Sequence, residues 1–160
     1  MKKASLFASA FFTLFVLSAK AEAKNRESDI QRGRYLVKTI GCNDCHTPFF
    51  GMKNGEIPEK DWLIGDQVGW KGPWGTTFPT NLRERVHMMN EVEFVQYAKT
   101  LKTRPPMPWY ALNAMTKDDL KAMYRFIKSL GPSQNKVPVG LPPGEIPQGP
   151  YMDMTVVMPK

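Results

Sequence analysis

The sequence predicts an all-α domain in which a first and a last helix cross, with long irregular loops between them. Apolar residues recur at helical spacing in three stretches, over residues 29–40, 90–101 and 116–130. Between residues 47 and 82 this periodicity is lost, and the chain becomes rich in Gly, Pro and Trp. No internal repeat divides the chain, and its length suits a single domain.

The N-terminus has the pattern of an export signal. Lys2 and Lys3 precede an apolar run over residues 4–18, and the small residues of Ala19-Lys20-Ala21 form a cleavage site, with Ala23 as an equally acceptable second choice. We therefore expect residues 1–21 to be removed and the protein to be periplasmic, without stable membrane insertion. The alternative is an uncleaved anchor, although the run is short for a bilayer span.

Part of the positive charge belongs to this leader. Removal of Lys2, Lys3 and Lys20 lowers the formal charge from +7 to +4. The remaining chain has no basic stripe interleaved with aromatic residues, so we expect no nucleic-acid partner.

The first predicted helix covers residues 29–40, with Ser28 as its N-cap. Gly33 lies in its interior, where glycine costs about 1 kcal/mol relative to alanine. That cost is most easily offset if another helix crosses close to the backbone at this point.

The segment Cys42-Asn43-Asp44-Cys45-His46 carries the chemistry. At this spacing both sulfurs can form thioethers to the vinyl groups of one haem, while the histidine binds the iron. We therefore expect one covalently bound haem c, held by Cys42 and Cys45, with His46 as a metal ligand.

Other uses of two cysteines at this spacing remain open. A zinc site would need four ligands and would have to recruit the distant His87. A thiol oxidoreductase usually places the motif at a helix N-terminus within a βαβ unit, which the surrounding pattern does not predict. A plain disulfide is the third alternative.

The irregular stretch over residues 47–82 is long for a compact domain, and a loop of this length normally has something to wrap. A flat apolar ring of haem size would serve. The aromatic residues that could cover its faces and edges are Trp62, Trp70, Trp74 and Phe78.

A second helix should begin at Asn90, with Glu93 completing a capping box. It is followed by Arg104-Pro105-Pro106-Met107-Pro108-Trp109, where three prolines impose an extended loop. This loop would hold the side chain of Met107 in one direction, beside Trp109, which suits an axial iron ligand. The competing ligands are Met52, Met88, Met89, Met115 and His87.

The last predicted helix begins after Thr116 and ends at Gly131-Pro132. A crossing with the first helix would place Phe126 over Gly33 and Tyr35. Beyond Pro132, the Pro- and Gly-rich tail over residues 133–160 should lie extended on the surface or be partly disordered.

Taken in this order, the motifs of residues 31–132 resemble those of a monohaem class I cytochrome c. The resemblance implies a class I cytochrome c fold, with the two terminal helices crossing around the haem in a domain over residues 22–132. The stretch over residues 72–82 is similar to the haem-covering segment of cytochrome subunits of periplasmic dehydrogenases. This similarity implies that Asn81 reaches a haem propionate. Among the aromatic residues, we expect Trp74 of the irregular stretch and Trp109 beside Met107 to contact the haem.

The predicted function follows from the coordination. If His46 and Met107 fill both axial positions, no site remains for a substrate, so we expect a one-electron carrier and not an enzyme. Its partners would be redox proteins such as a periplasmic dehydrogenase or a terminal oxidase. The alternatives are a haem enzyme or ligand sensor with an exchangeable axial position, and a dithiol redox protein without haem.

Overall fold

The computed structural model describes residues 26–159. The predicted signal sequence and both predicted cleavage sites lie outside this range. The first helix, α1, covers residues 26–39 of the described part. The helices that follow it are α2 (Cys42–His46), α3 (Leu82–His87), α4 (Glu91–Thr100), α5 (Trp109–Ala114) and α6 (Lys117–Ser129). Single 3-10 turns lie at Gly51–Lys53 and Glu59–Asp61.

The predicted start of α1 is wrong, because residues 26–28 are already helical and Ser28 is not its N-cap. Arg26 and Glu27 are good helix formers and give the helix no reason to stop. Gln31 Nε2 also donates to Glu27 Oε1 at 2.9 Å, a pair one turn apart.

Helix α1 crosses α6 at Gly33. A Cβ atom there would collide with the carbonyl oxygen of Ala122 and would lie 2.8 Å from Cβ of Phe126. The prediction that this glycine admits a close helix, with Phe126 over it, is confirmed. Tyr35, which we also expected beneath Phe126, is 57% exposed.

The ends of α4 and α6 follow the predicted capping signals. Asn90 and Glu93 form a complete capping box at the start of α4. The Thr116 hydroxyl accepts from the amide of Asp119 at 3.1 Å, and α6 ends at Ser129, before Gly131 with φ of 74°. Helix α6 packs against α3 and α4, and together with α1 these helices enclose the core.

A small three-stranded sheet makes the all-α prediction incomplete. Its strands are β1 (Gly69–Gly72), β2 (Gly75–Thr77) and β3 (Tyr151–Asp153), in the order β2-β1-β3. β1 pairs with β2 in an antiparallel hairpin, and β3 pairs with β1 in parallel. Strands of three or four residues show too little alternation of apolar and polar residues to be recognised. The parallel partner of β1, strand β3, lies about 80 residues further along the chain.

The C-terminal tail has a defined, extended course over the surface. The side-chain amide of Asn135 donates to the carbonyl of Ile64 at 2.9 Å, near the start of the tail. Further along, Leu141 forms an isolated bridge with Thr76, and the amide of Met154 donates to the carbonyl of Lys71 at 2.8 Å. The tail is therefore attached to the loop and sheet region at three separate points.

Helices α3 and α5 were not predicted. Asn81 is the N-cap of α3, and its side chain accepts from the amide of Glu84 at 3.0 Å. The sequence did carry this signal, since Asn81 precedes Glu84 by three residues.

Within the described range, no helix combines the length and the apolar composition needed to cross a bilayer.

Candidate haem-binding cavity

One cavity is lined by Cys42, Cys45, His46 and Met107. Its empty volume is about 1290 Å³, including the space open to solvent. Most of the wall is apolar, with contributions from Trp70, Phe78, Phe94, Leu101, Leu112 and Ile127.

The Cys-x-x-Cys-His segment forms α2, which is fixed to the loop that follows it. Gly41 precedes the helix with φ of 79°, a left-handed conformation that glycine adopts without strain. The Thr47 hydroxyl donates to Asn43 Oδ1 at 2.8 Å and accepts from the amide of Leu63 at 2.8 Å. Both Asn43 and Thr47 are buried, so this contact fixes the base of the motif from within the protein.

His46 is held in the state that a metal ligand requires. Its Nδ1 atom lies 2.7 Å from the carbonyl oxygen of Thr80. A carbonyl oxygen only accepts, so Nδ1 carries the proton and Nε2 keeps its lone pair. Burial lowers the pKa of His46, and the imidazole is therefore neutral at pH 7.

The two cysteines are poor thiolates in this environment. Burial raises the pKa of Cys42 to about 12, and the neighbouring Asp44 carboxylate contributes to the shift. The pKa of Cys45 is raised by the same two causes. A dithiol redox protein needs a thiolate near neutral pH, so this environment does not favour that function.

Met107 lies on the cavity wall, unlike most of its competitors. Met52 and Met88 are 84% and 75% exposed, while Met89 and Met115 pack against the hydrophobic core. His87 places Nδ1 2.7 Å from the carbonyl oxygen of Arg83 and does not line the cavity. Among the described methionines, Met107 shares the cavity wall only with Met123, which is a core residue of α6.

The predicted aromatic contacts divide into two groups. Trp70 and Phe78 line the cavity. Trp62 belongs to the core, where its indole N–H donates to the carbonyl of Ile57 at 2.8 Å. Trp74 and Trp109 do not line the cavity, although the Trp74 indole N–H is buried without a partner among the described residues.

Asn81 is placed outside the cavity wall, with its side chain bonded within the protein. It is 2% exposed. Besides capping α3, it donates to the carbonyl oxygens of Ser133 and Asn135, both at 3.0 Å. These contacts give Asn81 a part in joining α3 to the tail, which differs from the propionate contact that the resemblance implies.

Among the residues that the sequence analysis missed are Thr80, Arg85 and Arg104. The Thr80 carbonyl oxygen that orients His46 is a backbone atom and has no side-chain signal. Arg85 and Arg104 bring two cations to the cavity lining. Arg104 stands at the edge of the proline loop, so its position beside Met107 was visible in the sequence, but its contacts were not.

The residues present fit a haem c. Two cysteines, one histidine with a neutral imidazole and one methionine line an apolar cavity, and two arginines line it as well. Cysteine thiols suit covalent attachment, histidine and methionine suit the iron, and arginine suits propionate carboxylates. The donor set is therefore the one that a c-type haem requires.

Comparison with known proteins agrees with this donor set. No family model and no solved structure matches the chain. The chain is 24% identical over 131 residues to the cytochrome c subunit of a quinone alcohol dehydrogenase of Gluconacetobacter polyoxogenes, covering 75% of this chain and 26% of that protein. It is 27% identical over 153 residues to the corresponding subunit of Gluconobacter oxydans (strain 621H), covering 86% and 30%.

A third relative serves a different dehydrogenase. The fructose dehydrogenase cytochrome subunit of Gluconobacter japonicus is 26% identical over 115 residues, covering 66% of this chain and 22% of that protein. The chain thus spans less than a third of the length of each of these relatives. By sequence, the chain is similar to the cytochrome subunits of dehydrogenases.

Proposed function

We propose that this chain is a periplasmic electron-transfer protein that carries one haem c. Cys42 and Cys45 hold the haem covalently, and His46 and Met107 are its axial ligands. The domain over residues 22–132 has the class I cytochrome c arrangement, with α1 and α6 crossing beside the haem, and residues 1–21 are the signal peptide.

The main support is that one cavity gathers ligands from distant parts of the chain. Cys42, Cys45 and His46 come from α2, whereas Met107 comes from a proline loop about 60 residues later. Nitrogen from histidine and sulfur from methionine are a typical pair for electron-transfer haems. The haem iron supplies a one-electron couple when it is bound.

The residues of the cavity orient the histidine ligand and set the surroundings of the haem. The Thr80 carbonyl fixes the ring of His46 and increases the basicity of Nε2. The largely apolar lining keeps polar groups away from most of the haem, which limits reorganisation during electron transfer. Arg85 and Arg104 provide positive charge for the two propionates.

We infer that the physiological partner is a dehydrogenase. The relatives are named as cytochrome subunits of alcohol and fructose dehydrogenases, which supports electron acceptance from such an enzyme and not catalysis by this chain. A terminal oxidase or another haem protein would be the acceptor.

The test is to express the full chain in a host that attaches haem c and to purify it from the periplasm. We expect an intact mass that includes one haem, and a weak far-red band of methionine bound to ferric iron. Met107→Ala should lose this band. Met115→Leu is the matched control and should keep it, because Met115 packs against the core outside the cavity lining.

Three results would contradict the proposal. A mass equal to the bare processed chain would exclude covalent haem. Survival of the far-red band in Met107→Ala, with its loss in Met123→Leu, would assign the ligand to α6 instead. Ready binding of carbon monoxide to the reduced wild-type protein would favour an exchangeable axial position, and hence a haem enzyme or sensor.

A further inference from the structure

The side chain of Arg104 joins the methionine loop to two other segments. Its Nη1 atom donates to the carbonyl oxygen of Leu141 at 2.7 Å and to that of Trp74 at 3.0 Å. Its Nη2 atom donates to the carbonyl oxygen of Thr76 at 3.4 Å. Arg104 lies three residues before Met107, and its guanidinium therefore connects the methionine loop to the β1–β2 turn, strand β2 and the C-terminal tail.

The contacted segments are also bonded to each other. The amide of Thr76 donates to the carbonyl of Leu141 at 3.0 Å, and the amide of Leu141 donates to the carbonyl of Thr76 at 2.9 Å. The Thr77 hydroxyl donates to the carbonyl of Pro105 at 2.8 Å. Two consecutive residues of the methionine loop are thus fixed to one junction between β2 and the tail.

The junction has no spare room. A Cβ atom on Gly140 would lie 2.5 Å from Arg104 Nη2 and 3.0 Å from the carbonyl oxygen of Thr76. Gly75 has φ of 95°, and a Cβ atom there would collide with the carbonyl oxygen of Leu141 and lie 2.7 Å from the carbonyl carbon of Pro142. Glycine at these positions allows the tail and the loop to approach closely.

We infer that Arg104 is a positioning residue for the axial ligand and that the tail is part of the same device. The guanidinium donates to the carbonyl of Leu141 in the tail and fixes the start of the proline loop, and it thereby holds Met107 where its sulfur would bind the iron. This inference rests on the proposed function. It gives the tail, through Gly140 and Leu141, a role in the stability of the methionine–iron bond.

A simpler role for Arg104 is to serve only as a positive charge near the propionates, since it lines the cavity. The two roles differ in their dependence on the tail. A charge alone does not need Leu141, whereas a positioning contact does. A substitution in the tail that disturbs the contact between Arg104 and Leu141 therefore distinguishes the positioning role from the charge role.

The experiment uses the full-length protein with haem attached. Arg104→Gln removes the three carbonyl contacts from the loop side, and Gly140→Val displaces the guanidinium from the tail side while keeping its charge. Arg104→Lys keeps the charge without the planar fork. Gly149→Ala, also in the tail, is the control because a Cβ atom there meets nothing within 4 Å.

The measurements are the far-red band as the pH is raised, the reduction potential and the binding of imidazole to the ferric protein. In Arg104→Gln and in Gly140→Val we expect loss of the band at lower pH, a lowered potential and imidazole affinity increased about tenfold, since methionine competes less well for the iron. Arg104→Lys should fall between Arg104→Gln and wild type. Gly149→Ala should match wild type.

Each other result has a definite meaning. If both Arg104→Gln and Gly140→Val behave as wild type, the inference is wrong and the proposed ligation stands. If Arg104→Gln alone changes the readouts, Arg104 acts as a charge and the tail has no part in positioning. If the wild-type protein itself lacks the far-red band, the proposed His/Met ligation fails, and this inference fails with it.

Discussion

Arg83 is a buried cation whose hydrogen bonds all go to the backbone. Its guanidinium donates to the carbonyl oxygens of Lys60 at 2.6 Å and Gly131 at 2.7 Å, and it also contacts that of Leu130. The last carbonyls of a helix carry partial negative charge, so a cation is favourable here. Burial lowers the pKa of Arg83, but an arginine remains charged at any physiological pH.

Replacement of Arg83 tests how much these hydrogen bonds to backbone carbonyls contribute to stability. We expect Arg83→Met to lower the free energy of unfolding by roughly 3 kcal/mol, because several buried carbonyls would lose a charged donor. Urea denaturation followed by circular dichroism would measure it. Lys102→Met, at an exposed position, should change stability by less than about 0.5 kcal/mol; equal effects of the two changes would contradict a special role for Arg83.

Asn81 allows a sharper test, because the oxygen and the nitrogen of its side-chain amide have different partners. Asn81→Asp keeps the oxygen that accepts from the Glu84 amide but removes the two donors to Ser133 and Asn135. We expect a loss of about 2 kcal/mol, since a carboxylate would face two carbonyl oxygens. Hydrogen exchange should show the Glu84 amide still protected and the amide of Asn135 less protected.

The exposed Asn54 is the matched control, and Asn54→Asp should have little effect. If Asn81→Asp left the tail protected, the side chain would not hold residues 133–135 in place. A changed reduction potential with unchanged stability would instead favour the propionate contact implied by the resemblance.

At the level of elements, the crossing of α1 and α6 depends on one missing methyl group. Gly33→Ala would gain helix propensity, worth about 1 kcal/mol. However, the new Cβ would meet the backbone of Ala122, which is not able to rotate away as a side chain does. Overpacking of this kind typically costs about 1–3 kcal/mol.

We therefore expect Gly33→Ala to destabilise the protein by about 2 kcal/mol in urea unfolding. Gly51→Ala is the control, because a Cβ at Gly51 meets nothing within 4 Å. An increase in stability for Gly33→Ala would mean that the two helices have room to separate at this point.

Elements with local signals could be predicted, and elements with long-range partners could not. The caps at Asn90 and Thr116 and the need for a crossing at Gly33 depend on residues within one or two turns. The sheet and the Thr76–Leu141 bridge depend on pairing across many residues, which no local pattern specifies. The same distinction applies to the site, where the Cys-x-x-Cys-His motif is local but the Thr80 and Arg104 contacts are not.

At the scale of the whole molecule, Asp153 fastens the end of the tail to the sheet. Its carboxylate accepts from Lys71 Nζ at 2.9 Å and from the Thr155 amide at 2.9 Å. The bonds from Thr155 and then the one from Lys71 lower the pKa of Asp153 to about 2. A lowered pKa means that the attached tail is favoured above the ordinary aspartate pKa and loses this contribution as the pH falls towards 2.

We accordingly expect hydrogen exchange at the Met154 amide, which donates to Lys71, to accelerate as the pH falls from about 4 to 2, beyond the intrinsic pH dependence of exchange. The carboxyl carbon of Asp153 should titrate near pH 2 by NMR. Asp153→Asn should abolish this pH dependence. Titration of Asp153 at its ordinary value would show that Lys71 and Thr155 do not hold it in solution.

Strand β3 also determines what the sheet presents to other molecules. Without it, one side of β1 would expose backbone amides and carbonyls in an open row, a surface on which another chain can add a strand. With β3 in place, this edge of the sheet is a strand of only three residues that follows Pro150. The ion pair between Lys71 of β1 and Asp153 of β3 lies beside it. A chain cut after Pro132 would therefore tend to self-associate through β1, even if its iron site were intact.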